Sequence, residues 1–147
     1  MEQHKRFRRL SHSIYECVYH VVFCPKYRHR VLKGEIGEYT QSLLGKLVQQ
    51  KEGVEILEMN VQVDHVHMVV VIPPKYTVSG VMGYLKGKTA IRLFERYKHL
   101  GKQFWGRHFW SRGYCVSTVG IDEEKIRKYV KWEEKKDKEA EQKGLFE

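Results

Sequence analysis

His65-Val66-His67 sets two imidazoles one residue apart inside the apolar run Val66-His67-Met68-Val69-Val70-Val71-Ile72, which stops at Pro73-Pro74. A run so rich in β-branched residues and closed by prolines predicts a buried strand. Residues i and i+2 of a strand share a face, so the two rings stand side by side and Val66 turns the other way. Paired imidazoles on a rigid strand are half of a metal site. The plainer alternative is a pair of core histidines with their hydrogen bonds satisfied. Asp64, directly before them, can orient His65 from behind or simply form a turn.

A second group lies near the C-terminus. Tyr129 and Glu133 are spaced i and i+4, and Ile126 lies one turn earlier, so on a helix the three share roughly one face. Alone, that spacing describes an amphipathic core tyrosine with a solvated glutamate. Beside a His-x-His strand and a basic surface it also describes a nucleophile and a carboxylate ligand.

The elements that must position these residues follow from periodicity. Residues 14–24 predict a strand ended by Pro25. Ile36, Tyr39, Leu43, Leu44, Leu47 and Val48 recur at helical spacing, predicting an amphipathic helix over about 35–52 with Gly53 as its stop. Residues 54–61 predict a strand, and a tight turn near 62–64 leads into the histidine strand as a hairpin. A helix is expected over about 78–100, capped by Thr77 or Ser79 and followed by Gly101. Gly83 and Gly87 inside it would let another backbone come close. Residues 109–119 predict a fourth strand. Asp122, followed by Glu123 and Glu124, predicts the cap and first turn of a last helix reaching about residue 142. The order β-α-β-β-α-β plus a helix predicts an α+β fold of ferredoxin-like or RRM-like type. Its antiparallel sheet would carry two helices on one face, in a single domain over 1–147.

With 147 residues, 41% hydrophobic and 31% charged, the chain is long enough for one well-filled core. It contains no apolar stretch near the ~20 residues of a membrane span, and its charged N-terminus lacks the apolar segment of a secretory signal. Cys17, Cys24 and Cys115 are odd in number and not spaced as CxxC, which predicts reduced thiols in an intracellular protein; a structural zinc site is the weaker alternative. The formal charge of +9 and a pI of about 9.5 favour a polyanionic partner, nucleic acid above an acidic membrane. The cations gather at 5–9, 26–30, 86–88 and 107–112, near Phe7, Tyr27, Trp105, Phe109 and Trp110. Cations bind phosphates and aromatic faces stack unpaired bases; a solvated basic surface over core aromatics is the alternative.

Several stretches together carry a family resemblance. They are Tyr19-His20-Val21-Val22-Phe23 with Pro25-Lys26-Tyr27-Arg28, Asp64-His65-Val66-His67, and Ile72-Pro73-Pro74-Lys75. Further on come Ser79-Gly80, Met82-Gly83-Tyr84-Leu85-Lys86-Gly87-Lys88, Phe109-Trp110-Ser111-Arg112-Gly113-Tyr114, and Thr118-Val119-Gly120. In order and spacing the chain resembles, almost end to end, the single-tyrosine HUH transposases of the insertion-sequence 200/605 type. The resemblance implies that Tyr129 is a nucleophile and that His65 and His67 hold a divalent cation, Mg²⁺ or Mn²⁺. The family's third ligand is usually Gln, four residues after the tyrosine; here it is Glu133, a harder, charged oxygen that binds either ion but lowers its effective charge.

The implied substrate is single-stranded DNA with hairpins at element ends, cleaved through a 5′-phosphotyrosine. The implied assembly is a homodimer with shared active sites, in the cytoplasm at the nucleoid. Lys26, Arg28, Arg30, Lys86 and Lys88 are the expected DNA contacts. Alternatives are a domesticated HUH nuclease acting on palindromic repeats, a non-catalytic nucleic-acid-binding relative, and, from two histidines plus a carboxylate, a non-haem iron site.

Overall fold

A computed structural model describes residues 7–10, 12–104, 106 and 108–145, the side chains of 144–145 excepted. Lys5, Arg6, Trp105 and Arg107, members of the basic and aromatic clusters, lie outside the described residues. The chain opens with a short ribbon, β1 (Arg8–Arg9) against β2 (Ile14–Tyr15). Then come β3 (Val18–Phe23), a tight turn at Lys26–Arg28, α1 (Gly34–Val48), β4 (Glu55–Gln62) and β5 (His65–Val71). They are followed by α2 (Val78–Arg96), α3 (Leu100–Gln103), β6 (Cys115–Ser117) and α4 (Glu123–Leu145).

The main sheet is antiparallel in the order β4-β5-β3-β6, the ferredoxin-like arrangement expected from the element order. On one face Val21, Phe23, Val66, Met68 and Val70 meet Leu43, Leu44 and Leu47 of α1 and Val81, Met82, Leu85 and Leu93 of α2. Each such side chain, taken fully out of water, contributes about 1.5–3 kcal/mol. Among the described residues no helix is long and apolar enough to cross a membrane.

The starts of α2 and α4 follow their capping chemistry. Thr77 Oγ1 accepts the Gly80 amide at 2.9 Å at the head of α2, and Asp122 Oδ1 accepts the Lys125 amide at 2.9 Å at the head of α4. Helix ends differ from expectation. α1 stops at Val48 and reaches Gly53, at φ +85°, only through a further turn. α2 stops at Arg96 because Tyr97 leaves helical geometry at φ −119°, ψ 81°, placing its ring edge-on to Tyr39 at 5.9 Å; Gly101 falls inside α3. Gly83 and Gly87 face open space, so no backbone among the described residues approaches them.

Two expected strands are also shorter. The first breaks between β2 and β3. The fourth shrinks to Cys115–Ser117, with a single bridge from Trp110 to Pro25. The cause is visible at Ser111, Arg112 and Gly113. Their carbonyls all accept from Lys86 Nζ, at 2.8, 3.1 and 2.8 Å, instead of joining a ladder. Phe109 and Trp110 are both buried, which a regular alternating strand does not allow, and Trp110 Nε1 donates to Thr89 Oγ1 at 2.9 Å.

Candidate active site

The β4–β5 hairpin aims the histidines. Its register pairs Gln62 with His65, leaving a two-residue turn at Val63 and Asp64. Val66 is fully buried in the core, so His65 and His67 project from the opposite face, as strand alternation requires. Asp64 Oδ1 accepts from His65 Nδ1 at 3.0 Å. Burial raises the Asp64 pKa, but the hydrogen bonds and charges of His65 and Arg28 outweigh it and hold the carboxyl below its usual value. An ionised carboxylate only accepts, so His65 donates from Nδ1, and in the neutral ring that tautomer leaves the lone pair on Nε2.

His67 lies opposite Val22 of β3 and Asn60 of β4, and its Nε2 is buried without a hydrogen-bond partner. Burial first, then the neighbouring His20 and His65, keep its pKa below the usual histidine value, so the ring is neutral. A neutral imidazole with an unsatisfied inner nitrogen is the donor that a divalent cation needs. His20 stands beside it at 5.9 Å between ring centroids, also with an unpartnered buried nitrogen, Nδ1. Sequence reasoning missed His20. Its parity with Val22 in β3 could have placed it on this face, but only the strand pairing brings it to His67.

The same face is covered by α4. Ile121, Ile126 and Val130 bury against Val22, with Tyr129 and Cys115 packed at the edge of this small cluster. The Tyr129 hydroxyl is buried without a hydrogen-bond partner among the described residues. Burial first, then the charges of Cys24 and Glu133, raise its pKa far above the usual phenol value. The three cysteines are free thiols; burial pushes that of Cys24 up to about 12.

One turn further, α4 is held by polar groups. Glu133 and Asp137 are both buried. Glu133 is met by the Gly113 amide, and burial and the neighbouring Asp137 raise its pKa. Asp137 Oδ2 accepts from Ser111 Oγ at 2.6 Å and from the Tyr27 amide at 2.9 Å. Lys86 faces this group, and burial lowers its pKa against the pull of Glu133. Among the described residues no three His, Cys, Asp or Glu side chains stand in an arrangement that could hold a metal ion. The two histidines therefore fit the imidazole half of a cation site, while Glu133, in this placement of α4, is engaged at Gly113.

The expected DNA contacts divide. Arg30 and Lys88 are exposed. Lys26, half-buried, lines a cleft of about 660 Å³ with Arg112, Trp132 and Lys136. Lys86 and Arg28 turn inward instead: Lys86 gathers the three carbonyls, and Arg28 Nε donates to Asp64 Oδ2 at 2.9 Å. No charge pattern in the sequence separates these two from their neighbours.

A ferredoxin-like sheet with paired histidines on a central strand and a tyrosine helix across the same face defines the single-tyrosine HUH transposase class. Comparison agrees: residues 13–133 match the IS200-like transposase family model. The chain belongs to that family and is a transposase, an enzyme class that cuts DNA and transfers strands. It is 44% identical over 135 residues to the transposase for insertion sequence element IS200 of Salmonella typhimurium, covering 92% of this chain and 88% of the relative. It is 35% identical over 127 residues to the ISDra2 transposase TnpA of Deinococcus radiodurans, covering 86% and 89%. A crystal structure of a candidate transposase from Deinococcus radiodurans R1 superposes with a TM-score of 0.78 at 29% identity, covering 86% of this chain and 97% of that one. A REP-associated tyrosine transposase bound to a REP hairpin shares the fold, with a TM-score of 0.52 at 13% identity, covering 88% and 68%.

Proposed function

We propose that this transposase cleaves and rejoins single-stranded DNA at hairpin-bearing element ends through a covalent tyrosyl intermediate. The observation that carries the reading is a set of three buried polar atoms on one sheet face, His20 Nδ1, His67 Nε2 and the Tyr129 hydroxyl, without hydrogen-bond partners among the described residues. Buried polar groups are nearly always satisfied, and a catalytic role or a bound ion is among the explanations for an exception. The hairpin bound by the REP-associated fold relative is in keeping with a folded single strand as substrate.

Tyr129 Oη attacks the scissile phosphorus, forming a 5′-phosphotyrosine and releasing the upstream 3′-oxygen, which takes a proton to become a free 3′-OH. A later 3′-OH reverses the exchange and joins new strands, so no nucleotide hydrolysis is needed. A phenol is protonated at neutral pH and burial raises the Tyr129 pKa further, so its proton has to be taken up as Oη attacks. Mg²⁺ or Mn²⁺ on His65 and His67, when bound, supplies charge neutralisation at the phosphate. Asp64 fixes the His65 ring. Glu133 becomes the third ligand only from another placement of the helix, its own or that of a second subunit in a homodimer. Arg30, Lys26 and Lys88 meet the DNA backbone, and the protein works at the nucleoid in the cytoplasm.

The test uses labelled single-stranded DNA from the end of the encoding element with Mn²⁺. A denaturant-resistant adduct is expected from the wild type, and none from Tyr129→Phe or His67→Ala. Tight binding without an adduct in the wild type points to a non-catalytic relative. Mixing His65→Ala with Tyr129→Phe subunits regains cleavage if sites are shared; no recovery after subunit exchange counts against sharing.

A further inference from the structure

Arg28 belongs to the basic run 26–30, which reads as a phosphate-binding stretch, yet its guanidinium faces the protein. Its Nε donates to Asp64 Oδ2 at 2.9 Å, and its Nη1 lies 3.6 Å from Glu134 Oε1 on α4. The other Asp64 oxygen, Oδ1, accepts from His65 Nδ1 at 3.0 Å. Four side chains from three parts of the chain thus form one line: Glu134, Arg28, Asp64, His65.

The backbone is shaped to make this line. Tyr27 and Arg28 both adopt left-handed geometry, φ +57° and +54°, and neither is glycine. Non-glycine residues stay in that region only where the surroundings enforce it. Here the Tyr27 amide donates to Asp137 Oδ2 at 2.9 Å, next to the Arg28 that reaches Asp64. The Arg28 side chain is 23% exposed and that of Asp64 13%. These are not the exposures of a cation and carboxylate left in solvent.

A carboxylate held by one partner can rotate; one held on each oxygen by a different donor cannot. We propose that Arg28 is a positioning residue: it clamps Asp64 so that His65 keeps its proton on Nδ1 and presents Nε2 to the cation. Through Glu134 it also ties the orientation of that ligand to the docking of the tyrosine helix. Guanidinium suits this role because its planar fork reaches two carboxylates at fixed angles, whereas an ammonium offers a single charge centre. The inference rests on the proposed reading of His65 as a metal ligand.

The test compares wild type, Arg28→Gln, Arg28→Lys and Asp64→Asn in three measurements. Long-range ¹⁵N correlation spectra of the metal-free protein report the His65 tautomer. A single Nδ1–H form is expected in wild type, and a mixture in Arg28→Gln and Asp64→Asn. Mn²⁺ titration by calorimetry is expected to show affinity lowered about 10-fold or more in both variants, as when a partner holding a ligand histidine is removed. A further protein carrying both Arg28→Gln and Asp64→Asn should be little weaker than either single variant, because both remove the same clamp. Arg28→Lys, which keeps the charge, is expected to fall between. Metal-free binding to a single-stranded oligonucleotide should keep its salt dependence in Arg28→Gln. A salt slope reduced by about 1 with unchanged tautomer and Mn²⁺ affinity overturns the proposal and makes Arg28 a phosphate contact. A wild type that binds no Mn²⁺ defeats the metal reading and with it the presentation of Nε2, while the tautomer spectrum still decides whether Arg28 clamps Asp64 and His65.

Discussion

The two faces of the sheet are closed by different physics. One is sealed by α1 and α2 with hydrocarbon, Phe23, Met68, Leu44 and Leu85 among them, all fully or almost fully buried. The other receives α4 on a cluster of four buried residues, Val22, Ile121, Ile126 and Val130. Beyond that cluster the helix is held by Glu133 at Gly113, Asp137 at Ser111 and Tyr27, and Glu134 at Arg28. Apolar contact is non-directional and cannot be exchanged for a ligand. Carboxylates, ammonium and hydroxyl groups are directional, and a phosphate or cation competes for the same partners. The proposed chemistry lies on the face whose closure a polar ligand can contest.

Removing the side chain that anchors the hydrocarbon face should show the largest loss. Phe23→Ala is expected to destabilise by about 3–5 kcal/mol in urea unfolding. A loss below about 1 kcal/mol would erase the contrast between the faces. On the polar face, Lys86→Met strips the donor from three carbonyls and leaves Glu133 and Asp137 without their cation, at a cost of about 2–4 kcal/mol. Adding Glu133→Gln should recover part of that loss; strict additivity in the double variant would mean the two groups do not interact.

A smaller effect separates the faces by pH. Burial lowers the His29 pKa, with the Gln103 backbone opposing, and its ring packs edge-on to Phe104 at 4.8 Å. The unfolded chain then binds a proton more readily than the native one, so stability is lost as pH falls below the ordinary histidine value of about 6.5. Replacing His29 by Phe should flatten the Tm profile in that window, and an unchanged profile would assign the acid sensitivity elsewhere. The smallest effect belongs to the solvent side of α4. Lys128→Ala removes an exposed i,i+4 pair with Glu124, and a Tm change equivalent to less than about 0.5 kcal/mol is expected.

Much of this was legible in the chain. Strand alternation alone put His65 and His67 on one face with Val66 opposite, and Asp122 and Thr77 announced their helices by capping chemistry. The element order carried the ferredoxin-like sheet. One expectation failed where a side chain overrides backbone pairing: 109–119 has the composition of a strand, but Lys86, distant in sequence, takes the carbonyls of 111–113. The same limit applies to the basic residues. Lys88 and Lys86 are two positions apart and equally charged, and only packing sends one outward and the other under α4.

Local periodicity, capping residues and the order of elements depend on neighbours in the chain, so the sequence by itself determined the fold class, the histidine pair and the tyrosine helix. Which groups meet across 26 to 110 residues of separation depends on register and on the packing of α4. The Arg28–Asp64, Ser111–Asp137 and Tyr27–Asp137 contacts were therefore decided by tertiary structure alone. The placement of Glu133 at Gly113, away from the histidines, belongs with them. Helical spacing puts Glu133 on the Tyr129 face, but it cannot say how far along the sheet that face is laid.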